Sequence, residues 1–127
     1  MAEAVLDASA LLAVINGEEG GEKIRSLLID GLVSTVNFAE IAARLSDVGM
    51  PADEIAEVIG LLGVRLVPFT EAQALMSGVL RPRTRHLGLS LGDRACLALA
   101  LDRGVQAITA DRAWAGLDVG VRIETIR

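Results

Sequence analysis

The chain has 127 residues, a net charge of −5, 52% hydrophobic residues and a single cysteine. Its length favours one domain, covering residues 1–127, with one hydrophobic core. The acidic charge excludes a generally basic nucleic-acid-binding domain, and one cysteine excludes an internal disulfide. No apolar run approaches the ~18 residues of a membrane span, so we expect a cytoplasmic protein without a signal peptide or membrane association.

Short apolar segments alternate with stretches of helical periodicity along the whole chain. The predicted strands are Ala4–Leu6, Leu32–Ser34, Val64–Phe69, Gln106–Thr109 and Val121–Thr125. The predicted helices are Ala8–Asn16, Gly20–Leu28, Thr35–Asp47, Ala52–Leu62, Glu71–Leu80 and a last one from Ser90 to about Gly104, with a loop or short helical turn at 81–88. This alternation predicts a three-layer α/β/α domain with a mostly parallel sheet.

Four carboxylates occupy the ends or buried sides of these elements. Asp7 follows the first predicted strand and Asp111 follows the fourth, while Glu40 and Asp93 lie in predicted helices. Ligands of open α/β sheets bind outside the carboxyl ends of the strands, where the strand order reverses. If the first and fourth strands are neighbours, Asp7 and Asp111 meet at that point, and the two helices complete an acidic pocket.

The helix that carries Glu40 has an unusually narrow polar face. At 100° per residue, Asn37, Glu40, Arg44 and Asp47 share a stripe only about 80° wide, between two apolar faces. This pattern predicts a polar notch in a mostly buried helix. A solvated edge of the helix is the alternative interpretation.

The three aspartates also have ordinary structural interpretations. Asp7 and Ser9 can each cap the helix that follows the first strand. Asp93 completes a capping-box pattern with Ser90, and an acid in the first turn favours the helix dipole. Asp111 can be a turn residue. Each interpretation is reasonable alone, but four acids at the ends of alternating elements indicate a shared metal site, because buried carboxylates need a compensating cation.

Four ordered segments resemble the PIN domains, and among them the VapC-type toxin ribonucleases of toxin–antitoxin pairs. The segments are VLDASALLAVI, STVNFAEIAARL, LSLGDRACLALA and ITADRAW. The resemblance implies a five-stranded parallel sheet of order 3-2-1-4-5 and a Mg²⁺ or Mn²⁺ site made by Asp7, Glu40, Asp93 and Asp111. It also implies supporting roles for Ser9, Asn37 and Thr109, endonucleolytic cleavage of RNA, a cognate VapB-type antitoxin, and a homodimer.

The chemistry of the acids agrees with these implications. Carboxylate oxygens suit Mg²⁺ or Mn²⁺, which can activate water and stabilise charge on a phosphodiester. Two alternatives stay open: a metal-dependent phosphatase or phosphoacceptor domain, and a catalytically inactive partner-binding module. Haloacid dehalogenase-type enzymes need a second Asp where Ser9 stands, and receiver domains need a late Lys, whereas Lys23 is the only lysine.

Two surface features suggest partners. Arg81, Arg83 and Arg85 form a cluster that can contact RNA phosphate or an acidic partner segment. The helices predicted at Thr35–Asp47 and Ala52–Leu62 carry more apolar residues than one sheet face can cover, which favours self-association and a small protein partner. A solvated loop is the alternative interpretation of the arginine cluster.

Overall fold

A computed structural model describes residues 3–127 and contains one parallel sheet in that range. Its strands are β1 (Ala4–Leu6), β2 (Gly31–Ser34), β3 (Arg65–Val67), β4 (Gln106–Thr109) and β5 (Ile123–Thr125). Every adjacent pair is parallel, and the order is β3-β2-β1-β4-β5. The predicted fold class and strand order are confirmed, although β3 and β5 are shorter than predicted.

The helices fill the connections between the strands. They are α1 (Ala8–Ile15), α2 (Gly21–Ile24), α3 (Thr35–Asp47), α4 (Ala52–Leu62), α5 (Glu71–Val79), α6 (Arg81–Thr84) and α7 (Leu91–Arg103), with 3₁₀ turns at Arg25–Asp30, Arg85–Leu87 and Arg112–Gly116. None in residues 3–127 is long and apolar enough to cross a bilayer. The single helix predicted at Gly20–Leu28 is wrong, since α2 gives way to 3₁₀ geometry at Arg25.

Alternate strand residues divide the core into two layers. Leu6, Val33 and Ile108 pack with residues of α1, α3 and α4 on one side of the sheet. Val5 and Ala107 belong to the second cluster, which is built largely from α7 and Trp114. Successive strand side chains point to opposite faces, so each strand contributes to both layers. This arrangement is the predicted three-layer α/β/α architecture.

The register of the two central strands fixes the edge at which a site can form. Leu6 pairs with Ile108, and the backbone N–H of Asp7 donates to the Ile108 carbonyl at 3.1 Å. Asp7 therefore leaves β1 at the level where β4 is about to end at Thr109. The carboxyl ends of β1 and β4 lie side by side, as predicted from the strand order.

Candidate functional site

A cleft of about 480 Å³ opens at the carboxyl edge of β1 and β4. It brings together acids from four separate parts of the sequence, along with polar and apolar neighbours. The lining residues are Asp7, Ala8, Ser9, Leu12, Glu18, Glu40, Ala43, Arg44, Asp93 and Asp111. All four carboxylates predicted from the sequence thus face one concave surface.

Asp7 is the deeply buried acid of this cleft, with only 3% of its surface exposed. It caps α1, where its Oδ1 accepts a hydrogen bond from the Ala10 N–H at 2.9 Å. Burial raises the pKa of Asp7 from its ordinary value of 3.8 to about 6, even though hydrogen bonds from Thr109, Ala10 and Ser9 act in the opposite direction. The negative charge of Asp93 adds to the increase. The cleft therefore holds a desolvated carboxylate.

Two hydroxyl groups fasten Asp7 to the end of β4. Ser9 Oγ donates to Asp7 Oδ1 at 2.7 Å and accepts from the Ala110 N–H at 2.9 Å. Thr109 Oγ1 donates to Asp7 Oδ2 at 2.6 Å and accepts from the Asp111 N–H at 3.0 Å. Asp7, rather than Ser9, provides the side-chain cap of α1. The hydroxyls fix the orientation of the carboxylate and tie two strand ends together.

The other two aspartates are both helix-terminal caps that also face the cleft. Asp93 Oδ2 accepts from the Ser90 N–H at 2.9 Å and the Ser90 hydroxyl accepts from the Asp93 N–H, which is the predicted capping box. Asp111 Oδ1 accepts from the Ala113 N–H at 2.9 Å. The second carboxylate oxygen of each side chain accepts no hydrogen bond from residues 3–127. Capping therefore orients these acids without using all of their oxygen atoms.

Glu40 is held differently, because it lies in the middle of α3. Its Oε1 accepts from Asn37 Nδ2 at 2.8 Å, and the same nitrogen donates to the Gly92 carbonyl of α7 at 3.0 Å. Asn37 is buried, and Glu40 is partly exposed. The polar stripe predicted on this helix thus faces the cleft at Glu40 and Arg44, whereas Asp47 is exposed outside it.

The donor set suits a hard divalent cation, although its side chains are not gathered into a ligand shell. Within residues 3–127, no three His, Cys, Asp or Glu side chains converge closely enough to hold a metal ion. No basic side chain in that range forms an ion pair with any of the four acids. Asp7 in particular is a buried carboxylate with no neighbouring cation to compensate it. Mg²⁺ or Mn²⁺ fits this need and these oxygen atoms, after rotation of the more exposed side chains.

Two charged residues that line the cleft, Glu18 and Arg44, were not predicted as part of the site. Glu18 follows α1, and hydrogen bonds from Arg127 and Asn16 lower its pKa. Arg44 lies one helical turn after Glu40 and places a guanidinium in the acidic cleft. The shared stripe with Glu40 was the sequence signal for Arg44. Glu18 lies in a connecting turn and had no comparable signal.

The arginine cluster lies apart from these residues. Arg81 and Arg83 belong to α6, and Arg85 begins the following 3₁₀ turn, so the segment is a short helical turn rather than a loop. All three side chains are exposed, and none lines the cleft. Arg83 donates to the carbonyl of Asp118 at 2.9 Å. A role in binding RNA or a partner stays a prediction.

Comparisons with known proteins agree with the fold. The family model of the PIN domain matches residues 4–119. A search of curated proteins gives no significant match. Among solved structures, DNA-bound VapBC from Salmonella typhimurium is 20% identical over all of both chains, with a TM-score of 0.76. A toxin–antitoxin complex from Klebsiella pneumoniae is 19% identical over 98% of each chain, with a TM-score of 0.77.

A third similar structure is that of a toxin whose cleavage reaction is known. VapC20 of Mycobacterium tuberculosis, a toxin that cleaves the sarcin–ricin loop, is 17% identical over 94% of this chain and 99% of its own, with a TM-score of 0.73. Identities this low establish a common fold and leave activity open. The family match covers most of the chain and four of the five strands, β1 to β4. The chain therefore belongs to the PIN domain family.

Proposed function

We propose that residues 1–127 form a single nuclease domain, the toxin ribonuclease of a VapBC-type toxin–antitoxin pair, which hydrolyses RNA phosphodiesters with Mg²⁺ or Mn²⁺. The observation that carries the proposal is the cleft at the ends of β1 and β4, which is lined by the buried, uncompensated Asp7 and by Glu40, Asp93 and Asp111. Membership in the PIN family and the likeness to VapBC structures support it.

The proposed metal ligands are Asp7, Glu40, Asp93 and Asp111. When bound, the ion would offset their charge, activate water and stabilise negative charge on the phosphate. Hydrogen bonds from Ser9 and Thr109 hold Asp7 in place for that role. Asn37 does the same for Glu40.

Arg44 lies at the cleft wall, where its guanidinium can donate hydrogen bonds to a phosphate oxygen of the substrate. Its guanidinium presents a planar set of donors, which matches phosphate geometry. We propose that Arg44 helps to offset the repulsion between the acidic cleft and the RNA backbone. The exposed cluster of Arg81, Arg83 and Arg85 is a second, more distant candidate for the same task or for an acidic segment of the partner.

Partner binding is the second part of the proposal. We propose a VapB-type antitoxin, a homodimer and a cytoplasmic location; structures similar to this chain are described as toxin–antitoxin complexes. Exposed apolar side chains occur on α4 at Leu61 and on α5 at Leu75 and Val79, which are 80%, 72% and 56% exposed. Helix α5 instead buries Gln73 and Ser77. Large apolar groups left in water favour protein contacts.

A cleavage assay with charge-neutral variants tests the proposal. Purified protein should cut single-stranded or looped RNA with Mn²⁺ or Mg²⁺, and a chelator should abolish cleavage. The double variant Asp93→Asn/Asp111→Asn retains carbonyl oxygens that can accept the capping hydrogen bonds, so it should fold and lose activity. Full cleavage by that variant would show that the acids are structural. A wild-type protein that binds an antitoxin but neither metal nor RNA would support the inactive-module alternative.

A further inference from the structure

The carboxylate of Glu40 lies directly against the backbone of Gly92, in the first turn of α7. A Cβ atom placed on Gly92 would overlap the Glu40 carboxylate, with Oε2 only 2.5 Å away. The two residues are 52 positions apart in sequence and belong to different helices. The approach is therefore a tertiary contact between α3 and α7, and it takes place at the cleft.

Backbone conformation does not explain why glycine stands at position 92. Its φ lies outside the left-handed region that favours glycine, and it occupies an ordinary position in the first turn of a helix. Alanine is the stronger helix former, so nothing local favours glycine there. The missing side chain instead provides the room that the Glu40 carboxylate occupies.

Asn37 joins the two parts of this contact. Its Nδ2 donates both to Glu40 Oε1 and to the Gly92 carbonyl, so the amide orientation is fixed by two acceptors. Its Oδ1 is buried and has no hydrogen-bond partner among residues 3–127. The side chain thus bridges α3 and α7, and a shift that carries Glu40 Oε1 away from Asn37 breaks one of its two hydrogen bonds.

We propose that Gly92 is a positioning residue that keeps the Glu40 carboxylate in the cleft. A side chain at position 92 displaces the end of Glu40, breaks its hydrogen bond with Asn37 and removes one oxygen ligand from the site. The structural part of this inference stands on the contact itself. Its consequence for metal binding rests on the proposed function.

The variant Gly92→Ala tests the proposal, with Gly78→Ala as its matched control. Gly78 also lies in a helix, and a Cβ there would meet nothing within 4 Å among the described residues. Two measurements, neither of which is RNA cleavage, report the position of the Glu40 carboxylate and the affinity for metal. The side-chain NH₂ resonances of Asn37 report the contact without metal or RNA, and the increase of melting temperature with added Mn²⁺ reports metal affinity.

We expect Gly92→Ala to fold, because the group it displaces is the end of a flexible side chain. It should shift the Asn37 resonances and weaken Mn²⁺ binding about tenfold to hundredfold, the usual loss when a supporting group of a metal site is disturbed. Gly78→Ala should change neither readout. Unchanged Asn37 resonances in Gly92→Ala would overturn the inference. If wild-type protein binds no Mn²⁺, the proposed function fails, while the Asn37 shift still decides the role of Gly92.

A shorter acid at position 40 tests whether the effect of Gly92→Ala arises from its overlap with the Glu40 carboxylate. Glu40→Asp alone should weaken Mn²⁺ binding, because the carboxylate withdraws by one methylene. In the Gly92→Ala background the same change should bring binding to the level of Glu40→Asp alone, because it removes the overlap with the new Cβ, so the two losses should not add. Should Gly92→Ala fail to fold, the double variant should fold for the same reason. A double variant that binds Mn²⁺ more weakly than Glu40→Asp alone would place the conflict elsewhere and overturn the proposal.

Discussion

The two halves of the cleft are built by different means. In the half formed by β1 and β4, Asp7 receives three hydrogen bonds, one from the backbone and two from hydroxyls. Both hydroxyls accept hydrogen bonds from the backbone that directly follows β4. In the half formed by α3 and α7, the Glu40 carboxylate receives one, from Asn37. Asp7 is thus desolvated and held by several donors, whereas the position of the Glu40 carboxylate depends on the packing of a long side chain.

This difference indicates that the carboxylates of the two halves have different roles. A carboxylate held by several donors and removed from water is preorganised, at the cost of burying its charge. A partly exposed carboxylate on a flexible stem can move, so it can adjust to an ion or a substrate. We expect changes in the β1 and β4 half to alter stability and activity together, and changes in the α3 and α7 half to alter activity with little effect on stability.

The largest effect is expected from Asp7→Asn. The substitution keeps the shape of the side chain but removes the charge at the base of the cleft. RNA cleavage should fall by more than about a hundredfold, which exceeds the usual effect of disturbing a supporting group of a metal site. Rates measured with Mn²⁺ check the prediction, with Asp47→Asn as the control, because Asp47 is exposed outside the cleft. Equal losses in both variants would contradict a specific role for Asp7.

The pH dependence of stability tests the burial of Asp7 without any reaction. In metal-free protein its pKa rises on folding from 3.8 to about 6, so between these values the folded state binds more protons than the unfolded state. The free energy of unfolding should therefore fall as the pH rises from 4 to 7, by up to about 3 kcal/mol from this group. Urea unfolding of Asp7→Asn in the same chelator-containing buffers should lack this component. Parallel profiles for the two proteins would rule out a desolvated carboxylate.

A smaller effect is expected from Thr109→Val, which removes the 2.6 Å hydrogen bond to Asp7. Losing a hydrogen bond to a charged group costs about 1.5–3 kcal/mol, so the free energy of unfolding at pH 7 should fall by that amount. The pKa of Asp7 should rise further, since this hydrogen bond lowers it. Thr125→Val in β5 is the control, because the Thr125 side chain makes none of the hydrogen bonds found in residues 3–127. Equal stabilities of the two variants would show that the hydroxyl does not support Asp7.

The smallest effect is expected from Arg44→Gln. One lost phosphate contact should weaken RNA binding for all sequences alike. It should also reduce the slope of log binding constant against log salt concentration by about one. Melting temperature should stay the same, because Arg44 is exposed. The triple variant of Arg81, Arg83 and Arg85 to Gln is the comparison. If only the triple variant weakens RNA binding, the substrate follows the α6 surface instead of the cleft wall.

The sequence predicted the first half of the site better than the second. Asp7 and Asp111 end neighbouring parallel strands, and strand order brings such positions together whatever the details of packing. In the second half, the capping box of Ser90 and Asp93 was the part that a local sequence pattern predicted. Each of these signals, an acid directly after a strand or a capping box, is contained in a short segment of sequence. It can therefore be recognised before the fold is known.

The features that sequence did not reveal depend on packing between distant elements. The approach of Glu40 to Gly92 joins α3 to α7, and neither segment signals it alone. The apolar surplus was predicted on α3 and α4, whereas exposed large apolar side chains lie on α4 at Leu61 and on α5 at Leu75 and Val79, and on none of the residues of α3. On α5, Gln73 and Ser77 take the inner face. In that helix tertiary contacts override the simple rule that apolar residues face the core.

Calorimetric titration of Mn²⁺ into the wild-type protein and into Asp7→Asn tests whether the cleft at the ends of β1 and β4 binds a metal ion. At pH 7.5 the Asp7 carboxylate is ionised in the folded protein, since its pKa is about 6. We expect saturable binding to the wild type and binding to Asp7→Asn that is weaker by at least about tenfold. Equal binding to both proteins, or no binding to the wild type, would contradict a metal centre at the ends of β1 and β4.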